Sequence, residues 1–302
     1  MSISIFIDGQ AGTTGLGITQ RLAAIPSISL ITLDDAHRKD ASARADAMSR
    51  AALTVLCLPD DAAREAVALA PPGARILDAS TAHRTAPGWV YGFPELDPAQ
   101  RAKIAAARLV SNPGCYATGA IALLHPLIAA GLVLPSQDIT LNAVSGYSGG
   151  GKAMIASHEA AHGPAFELYG LNLAHKHIPE IMALSGLHRR PIFVPSVGHF
   201  AQGMLVSLPL FRDHLPGAPT GKHLLEALRA HYAGAQNILV HPDIYPGTLQ
   251  PEALNNTDQL EIFVCANEDY GHAVLIARLD NLGKGASGAA VQNISLMLGE
   301  TS

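Results

Sequence analysis

Through the first third of the chain, short apolar runs alternate with stretches whose apolar residues recur three and four positions apart. ISIFID (3–8), ISLITLD (28–34), LTVLCLP (53–59) and ARILDAS (74–80) read as strands. GLGITQRLAAI (15–25) and DDAAREAVALA (60–70) carry helical spacing, and the second opens on acidic residues suited to a helix N-terminus. This strand–helix–strand rhythm predicts a parallel, doubly wound sheet. Such sheets bind ligands at the carboxyl ends of their strands.

Beyond residue 115 the texture changes. Longer strand-like runs follow at 138–146, 190–198, 203–211, 259–267 and 271–281, with one clear helix at 220–232. Many strands and few helices predict a mixed or antiparallel second sheet. GASGAAVQNISLMLG (285–299) is helical again and is expected to return to the first domain. A chain of 302 residues suits two domains. The division expected is 1–114, with a C-terminal helix (285–302) packing back on it, and 115–284.

Composition removes several classes of function. No apolar run reaches membrane-spanning length, and MSISIFIDGQ has neither a basic start nor a cleavage site. A net charge of −5 without Lys/Arg blocks argues against nucleic acid and anionic membranes as partners. Three cysteines with no CxxC pair fit a reducing cytoplasm and no structural zinc site. Cys57 and Cys265 fall in strand-like runs and read as core residues.

IFIDGQAGTTGLG places Gly9, Gly12 and Gly15 between the first strand and the first helix. Glycines there let backbone N–H groups approach a pyrophosphate, and Thr13 and Thr14 add hydroxyl donors. The domain is therefore expected to be a Rossmann-type dinucleotide-binding unit. After the second strand, Asp34 and Asp35 suit a ribose diol and NAD, whereas Arg38 and Lys39 suit a 2′-phosphate and NADP. A solvated charged loop accounts for all four equally.

SNPGCYATGA (111–120) is a turn followed by an apolar helical stretch, so Cys115 is expected at a helix N-terminus, whose field favours a thiolate. A thiolate attacks an activated acyl carbon to give a thioester, which a hydride converts to an aldehyde, and the chemistry needs an acid or base nearby. HKHIPE supplies His175 and His177, which an extended backbone would point to one side, before Pro179 opens a short helix. The pair also suits a metal, with Glu180 as a third ligand, but nothing nearby completes a site. Ser80 and Arg84 in DASTAHR suit a carboxylate or phosphate. Lys284 and Gly285 in NLGKGASG offer a cation and backbone donors before a helix. SGYSGGGK (145–152), starting at Ser145 and Gly146, reads as a second mobile glycine-rich loop.

GTTGLG, ASTAHR, YGFPEL (91–96), SNPGCYATGA, HKHIPEI and GKGASGAAVQN together resemble the N-acetyl-γ-glutamyl-phosphate reductase family over almost the whole chain. NPGCYAT together with HxHxPE is the specific part, and the compact length is similar to the shorter of the family's two sequence types. Aspartate-semialdehyde dehydrogenase is the nearest relative in chemistry and fold. The resemblance implies an α/β plus α+β molecule, in which a mixed-sheet catalytic and dimerisation domain of semialdehyde-dehydrogenase type follows the Rossmann-type domain. It implies Cys115 as nucleophile, His175 as acid/base, and Arg84, Tyr169 and His177 as substrate contacts. It implies cofactor contacts at Gly9, Gly12, Thr13, Thr14, Gly15, Ser145, Gly146, Lys284 and Gly285. The family's use of NADP(H) favours Arg38 and Lys39 over the aspartates. The implied partners are a small acyl phosphate and further copies of the chain, as a dimer or tetramer. The reading that competes in substrate is reduction of another acyl phosphate, such as aspartyl phosphate. A cysteine hydrolase would need the thiol and histidine but no nucleotide turn. An NADP-sensing protein would keep GTTGLG without needing NPGC and HKH.

Overall fold

The computed structural model describes residues 2–299. The chain forms two compact units, one made of residues up to Pro94, Pro98–Pro113 and those from Ala286 onward, the other of Glu95–Asp97 and Gly114–Gly285.

In the first unit the elements run β1 (Ile3–Asp8), α1 (Thr13–Ala23), β2 (Ile28–Ile31), α2 (Ala41–Arg50), β3 (Leu53–Leu56), α3 (Asp60–Leu69), β4 (Ile76–Asp78), β5 (Val90–Tyr91), α4 (Gln100–Ala106) and β6 (Leu109–Ser111). Among the described residues they build a six-stranded sheet in the order β2-β1-β3-β4-β6-β5, with every pairing parallel. Alternation along β1 shows the double winding. Ile5 and Ile7 join a core with Ile18 and Leu22 of α1 and Ile104 of α4, whereas Phe6 joins Ala47 and Met48 of α2 and Ala63 and Ala66 of α3. Side chains on a strand alternate faces, so both sides of this sheet need a helical cover. The second helix was not legible, because ASARADAMSR is too polar for a strong apolar stripe; Asp40 caps it by accepting from Ala43 N (2.7 Å).

In the second unit follow α5 (Cys115–Ala129), β7 (Thr140–Gly146), α6 (Gly151–Glu159), β8 (Phe166–Leu168), α7 (Ile178–Ser185), β9 (Ile192–Gly198), β10 (Met204–Phe211), α8 (Gly221–His231), β11 (Ile238–Val240), β12 (Leu260–Asn267) and β13 (His272–Leu279). Among the described residues this sheet has seven strands, ordered β11-β12-β13-β10-β7-β9-β8, and mixes parallel with antiparallel pairs. Helices α5 and α8 cover it, with α5 against β10 and β13 and α8 against β12. Nearly every side chain along α5 is buried, consistent with a helix that is apolar on all faces.

The chain re-enters the first unit with α9 (Gly288–Leu298), whose Ala290, Ile294 and Met297 complete the core that also holds Ile5 and Ile7. No helix among the described residues is long and apolar enough to cross a membrane.

Candidate functional site

In the first unit the glycine turn has three distinct positions. Gly9 adopts φ +91°, and a Cβ there would run into the Cys57 carbonyl oxygen. A Cβ on Gly15 would lie 2.5 Å from the Gly9 carbonyl oxygen. Both glycines are thus demanded by backbone packing. Gly12 differs: the nearest atom to a Cβ there is 3.7 Å away, so its freedom is not used against protein. It is the N-cap of α1, with Thr13 and Thr14 as the first two helical residues. First-turn N–H groups have no helical acceptor, so this cradle fits a dinucleotide pyrophosphate.

After β2, Asp34 accepts from the His37 backbone N–H (2.9 Å) and its Oδ1 lies 2.7 Å from His37 Nδ1, which holds its carboxyl below the usual range. Arg38 Nε lies 3.3 Å from Asp35 Oδ1, with both side chains exposed. These local pairs account for Asp34, Asp35 and Arg38 within the loop itself.

Arg84 ends a turn organised by a residue the sequence reading overlooked. Asp78, fully buried at the end of β4, accepts from Ser80 N (2.9 Å) and Ser80 Oγ (2.6 Å), and its Oδ2 lies 2.6 Å from His83 Nδ1. The His83 ring stacks on Trp89 at 4.2 Å. Arg84 Nε donates to the Asn112 carbonyl (3.0 Å), which fixes the direction of its guanidinium.

In the second unit Cys115 is the first residue of α5, with Gly114 as N-cap. The Gly114 N–H donates to Glu180 Oε2 (3.1 Å), and Thr118 N and Oγ1 donate to the Gly114 carbonyl (2.8 and 3.0 Å). Next in sequence is Tyr116, which also went unnoticed because YATGA reads as plain helix. Its ring lies against Tyr169 (6.5 Å), His175 (5.8 Å), His177 (6.0 Å) and Phe193 (5.3 Å), and its hydroxyl donates to the Ser196 carbonyl (2.9 Å). Burial pushes the hydroxyls of Tyr116 and Tyr169 well up, and the charge of Cys115 pushes both the same way. Cys115 is thus joined, through the next residue of α5, to the ring cluster that contains His175.

The histidine rings are 4.7 Å apart and perpendicular, but not through strand alternation. His177 is helical in backbone (φ −83°, ψ −11°) and is the N-cap of α7, so a turn and not an extended segment joins them. Pro179 sits in the first turn of α7, where its fixed φ starts the helix and draws His177 into it. The His177 N–H donates to His175 Nδ1 (3.2 Å), which leaves the proton of a neutral His175 on Nε2. His175 is half-buried and His177 buried. Glu180 faces Gly114, and no group of three His, Cys, Asp or Glu residues placed to hold a metal ion occurs among the described residues.

The loop expected at 145–152 is instead ordered structure. Ser145 and Gly146 end β7, a 3₁₀ turn spans Tyr147–Gly150, and α6 starts at Gly151. Gly146 N, Tyr147 N and Ser148 N donate to the carbonyls of Gly203, Phe200 and Ala201, so the backbone is satisfied and held. A Cβ on Gly146 would lie 2.5 Å from Gln202 N. Lys284, read from sequence as a cation for the cofactor, is 1% exposed and ion-paired with Glu95. Of the other cysteines, desolvation pushes the Cys57 thiol up to about 12, and burial also raises that of Cys265.

Comparison with known proteins places this arrangement. Residues 115–281 match the family model for the semialdehyde dehydrogenase dimerisation domain. An N-acetyl-gamma-glutamyl-phosphate reductase 2 of Pseudomonas putida is 53% identical, covering 98% of this chain and 96% of its own length. Its namesake in a Nostoc species is 49% identical at the same coverage. Among solved structures, aspartate semialdehyde dehydrogenase II of Vibrio cholerae in complex with ASA superposes with a TM-score of 0.73 over the full length of both chains at 14% identity. The Candida albicans aspartate semialdehyde dehydrogenase solved with NADP gives 0.68 at 13% identity, with 99% of each chain covered. At such identity these structures establish the fold alone: a Rossmann-type domain followed by a semialdehyde-dehydrogenase-type domain. The closeness to the two reductases goes further, and the chain belongs to the N-acetyl-γ-glutamyl-phosphate reductase family.

Proposed function

We propose that this protein reduces N-acetyl-γ-glutamyl phosphate to N-acetylglutamate 5-semialdehyde with release of phosphate, in arginine biosynthesis, using NADPH and a thioester on Cys115. The observation that carries the reading is a cysteine at the first residue of a buried helix, whose next residue, Tyr116, packs its ring against His175. The glycine turn of the first unit supports the dinucleotide half of the reading.

Cys115 Sγ, as thiolate, forms a bond to the acyl carbon, and the C–O bond to phosphate breaks with its electron pair leaving on phosphate. The helix N-terminus favours the anion before attack. Arg84, Tyr169 and His177 contact the substrate in this reading, with the Arg84 guanidinium suited to an anionic group. NADPH, when bound, supplies the hydride that reduces the thioester carbon. Gly12, Thr13 and Thr14 would hold its pyrophosphate and Arg38 and Lys39 its 2′-phosphate, with Ser145, Gly146 and Gly285 as further contacts. His175 shares its Nε2 proton with the alkoxide that hydride addition creates and takes it back as the C–S bond breaks, which frees the aldehyde and returns the electron pair to sulfur as thiolate.

The first unit is thus the dinucleotide-binding domain and the second the catalytic one. A cytoplasmic homo-oligomer completes the reading, since the matched model describes a dimerisation domain. Exposed Phe166, Leu168 and Leu171 in the second unit supply apolar surface for a second copy.

The test is NADPH oxidation followed by absorbance with N-acetyl-γ-glutamyl phosphate and with aspartyl phosphate. Turnover with the first and its loss in Cys115→Ser are expected. Turnover with aspartyl phosphate alone, or full turnover in Cys115→Ser, overturns the reading.

A further inference from the structure

Lys284 and Glu95 form a buried ion pair that the reaction above does not use. Nζ lies 2.9 and 2.8 Å from the two Glu95 carboxylate oxygens, and the side chains are 1% and 5% exposed. A lysine is rarely buried this fully, and then only when paired. Glu95 reaches the second unit as part of the short Glu95–Asp97 segment, where the neighbouring Leu96 carbonyl lies 3.1 Å from His231 Nε2 of α8. Glu95 also adds to the upward push on Tyr232, whose hydroxyl donates to the Ala122 carbonyl of α5 (2.9 Å). The segment that carries Glu95 is thereby tied to α8, whose C-terminal neighbour Tyr232 is in turn tied to α5.

Lys284 belongs to a single π-helical turn, Gly283–Ser287. Asp280 holds that turn at its start: its Oδ1 accepts from Leu282 N (2.8 Å), its carbonyl accepts from Gly285 N (2.9 Å), and its Oδ2 accepts from Asn256 N (2.8 Å). Directly after Lys284, Gly285 presses on the thiol residue. A Cβ at 285 would lie 2.9 Å from Cys115 Cβ and 3.4 Å from its Cα. The bare backbone of residue 285 is therefore a wall beside the Cβ that bears Sγ, and such a wall narrows the rotamers open to the sulfur.

The geometry points to Lys284, with Glu95 as its counter-ion, as a positioning residue for Cys115 that acts through the backbone of Gly285. Asp280 anchors one end of the turn, and the Lys284–Glu95 pair pins its side to the segment tied to α8. Together they hold Gly285 against Cys115 and keep the sulfur at the start of α5. The assignment rests on Cys115 being the nucleophile. It replaces the reading of Lys284 as a cofactor contact.

The test uses the full chain with Lys284→Met and with Glu95→Gln, which keeps the shape and one acceptor for Nζ. Two readouts are taken on each: the split of kcat against the KM for NADPH, and the pH midpoint of Cys115 alkylation by iodoacetamide, mapped by mass spectrometry. The raised Cys57 and Cys265 thiols leave Cys115 as the neutral-pH target. Lys284→Met is expected to lower kcat by about tenfold or more, since small misplacements of a reacting group cost this much. Glu95→Gln lowers it less. The KM for NADPH stays within about twofold, and the alkylation midpoint moves upward in both as the sulfur leaves the helix terminus. If Lys284→Met does not fold, Glu95→Gln carries the same readouts. A raised KM for NADPH with kcat and midpoint unchanged makes Lys284 a cofactor contact and overturns the proposal. A lowered melting temperature with both readouts unchanged makes the pair merely structural and also overturns it. The alkylation midpoint needs no substrate, so it reads the positioning even where the reductase assay fails.

Discussion

The Gly114 backbone N–H donates to the Glu180 carboxylate at 3.1 Å, which joins the cap of the thiol-bearing helix to the helix that follows the histidine pair. Glu180 is 1% exposed, so this contact is shielded from solvent. Glu180→Ala leaves the Gly114 N–H buried without its acceptor, a cost of about 1–3 kcal/mol. The expected result is a lower urea midpoint together with a drop in kcat, because the cap and the histidine turn lose their common tie. Glu180→Gln keeps an acceptor and should recover most of the stability. Equal urea midpoints for wild type and Glu180→Ala would show that the contact contributes nothing.

His175→Ala should lower kcat by about a hundredfold to ten-thousandfold, the range of general acid–base assistance. NADPH affinity should stay near that of the wild type. His175 is the partly exposed ring, with Nδ1 occupied by the His177 N–H and its proton left on Nε2. His177→Ala should raise the substrate KM and leave the bond from its backbone N–H intact. Steady-state kinetics on both single variants and the double variant decide the matter. Full turnover in His175→Ala with loss in His177→Ala would move the proton-transfer role by two residues.

Two glycines of one turn should fail differently. Gly15→Ala puts a methyl 2.5 Å from the Gly9 carbonyl oxygen, so the first unit should lose thermal stability. Gly12→Ala meets nothing closer than 3.7 Å and has φ −77°, which alanine tolerates. It should leave the melting temperature unchanged and weaken NADPH, because in the proposed site its methyl would stand where the pyrophosphate approaches. Fluorescence titration with NADPH alongside thermal melts separates the two effects. Unaltered NADPH affinity in Gly12→Ala would remove the turn from the cofactor site.

NADPH should bind more tightly than NADH, and Arg38→Ala with Lys39→Ala should erase the difference. The Arg38–Asp35 pair is exposed and 3.3 Å long. Such a pair is worth about 0–1 kcal/mol, whereas a charge-assisted bond to a phosphate is worth about 1.5–3 kcal/mol. In the proposed site Arg38 would therefore gain by leaving Asp35 for a 2′-phosphate. Competing titrations of the two nucleotides on wild type and double variant test this. Equal affinities in the wild type would return the ribose to the aspartates.

The order of apolar runs and glycine turns determined much of this protein without help. The parallel sheet of the first unit, the helix start at Cys115 and the mixed second sheet follow from local periodicity and from Pro and Gly at element ends, which act over a few residues. What only the tertiary structure decided involves partners far apart in the chain or conformations with no local signature. Tyr116 joins the histidines through packing across α5, α7 and β9. Asp78 organises the turn that carries Arg84 because burial leaves its carboxylate no water to satisfy it. Residues 146–148 are held by carbonyls of residues 200–203, so Gly146 marks close backbone approach and not mobility. Lys284 is drawn inward by Glu95, 189 residues away, because a charge removed from water must find its opposite.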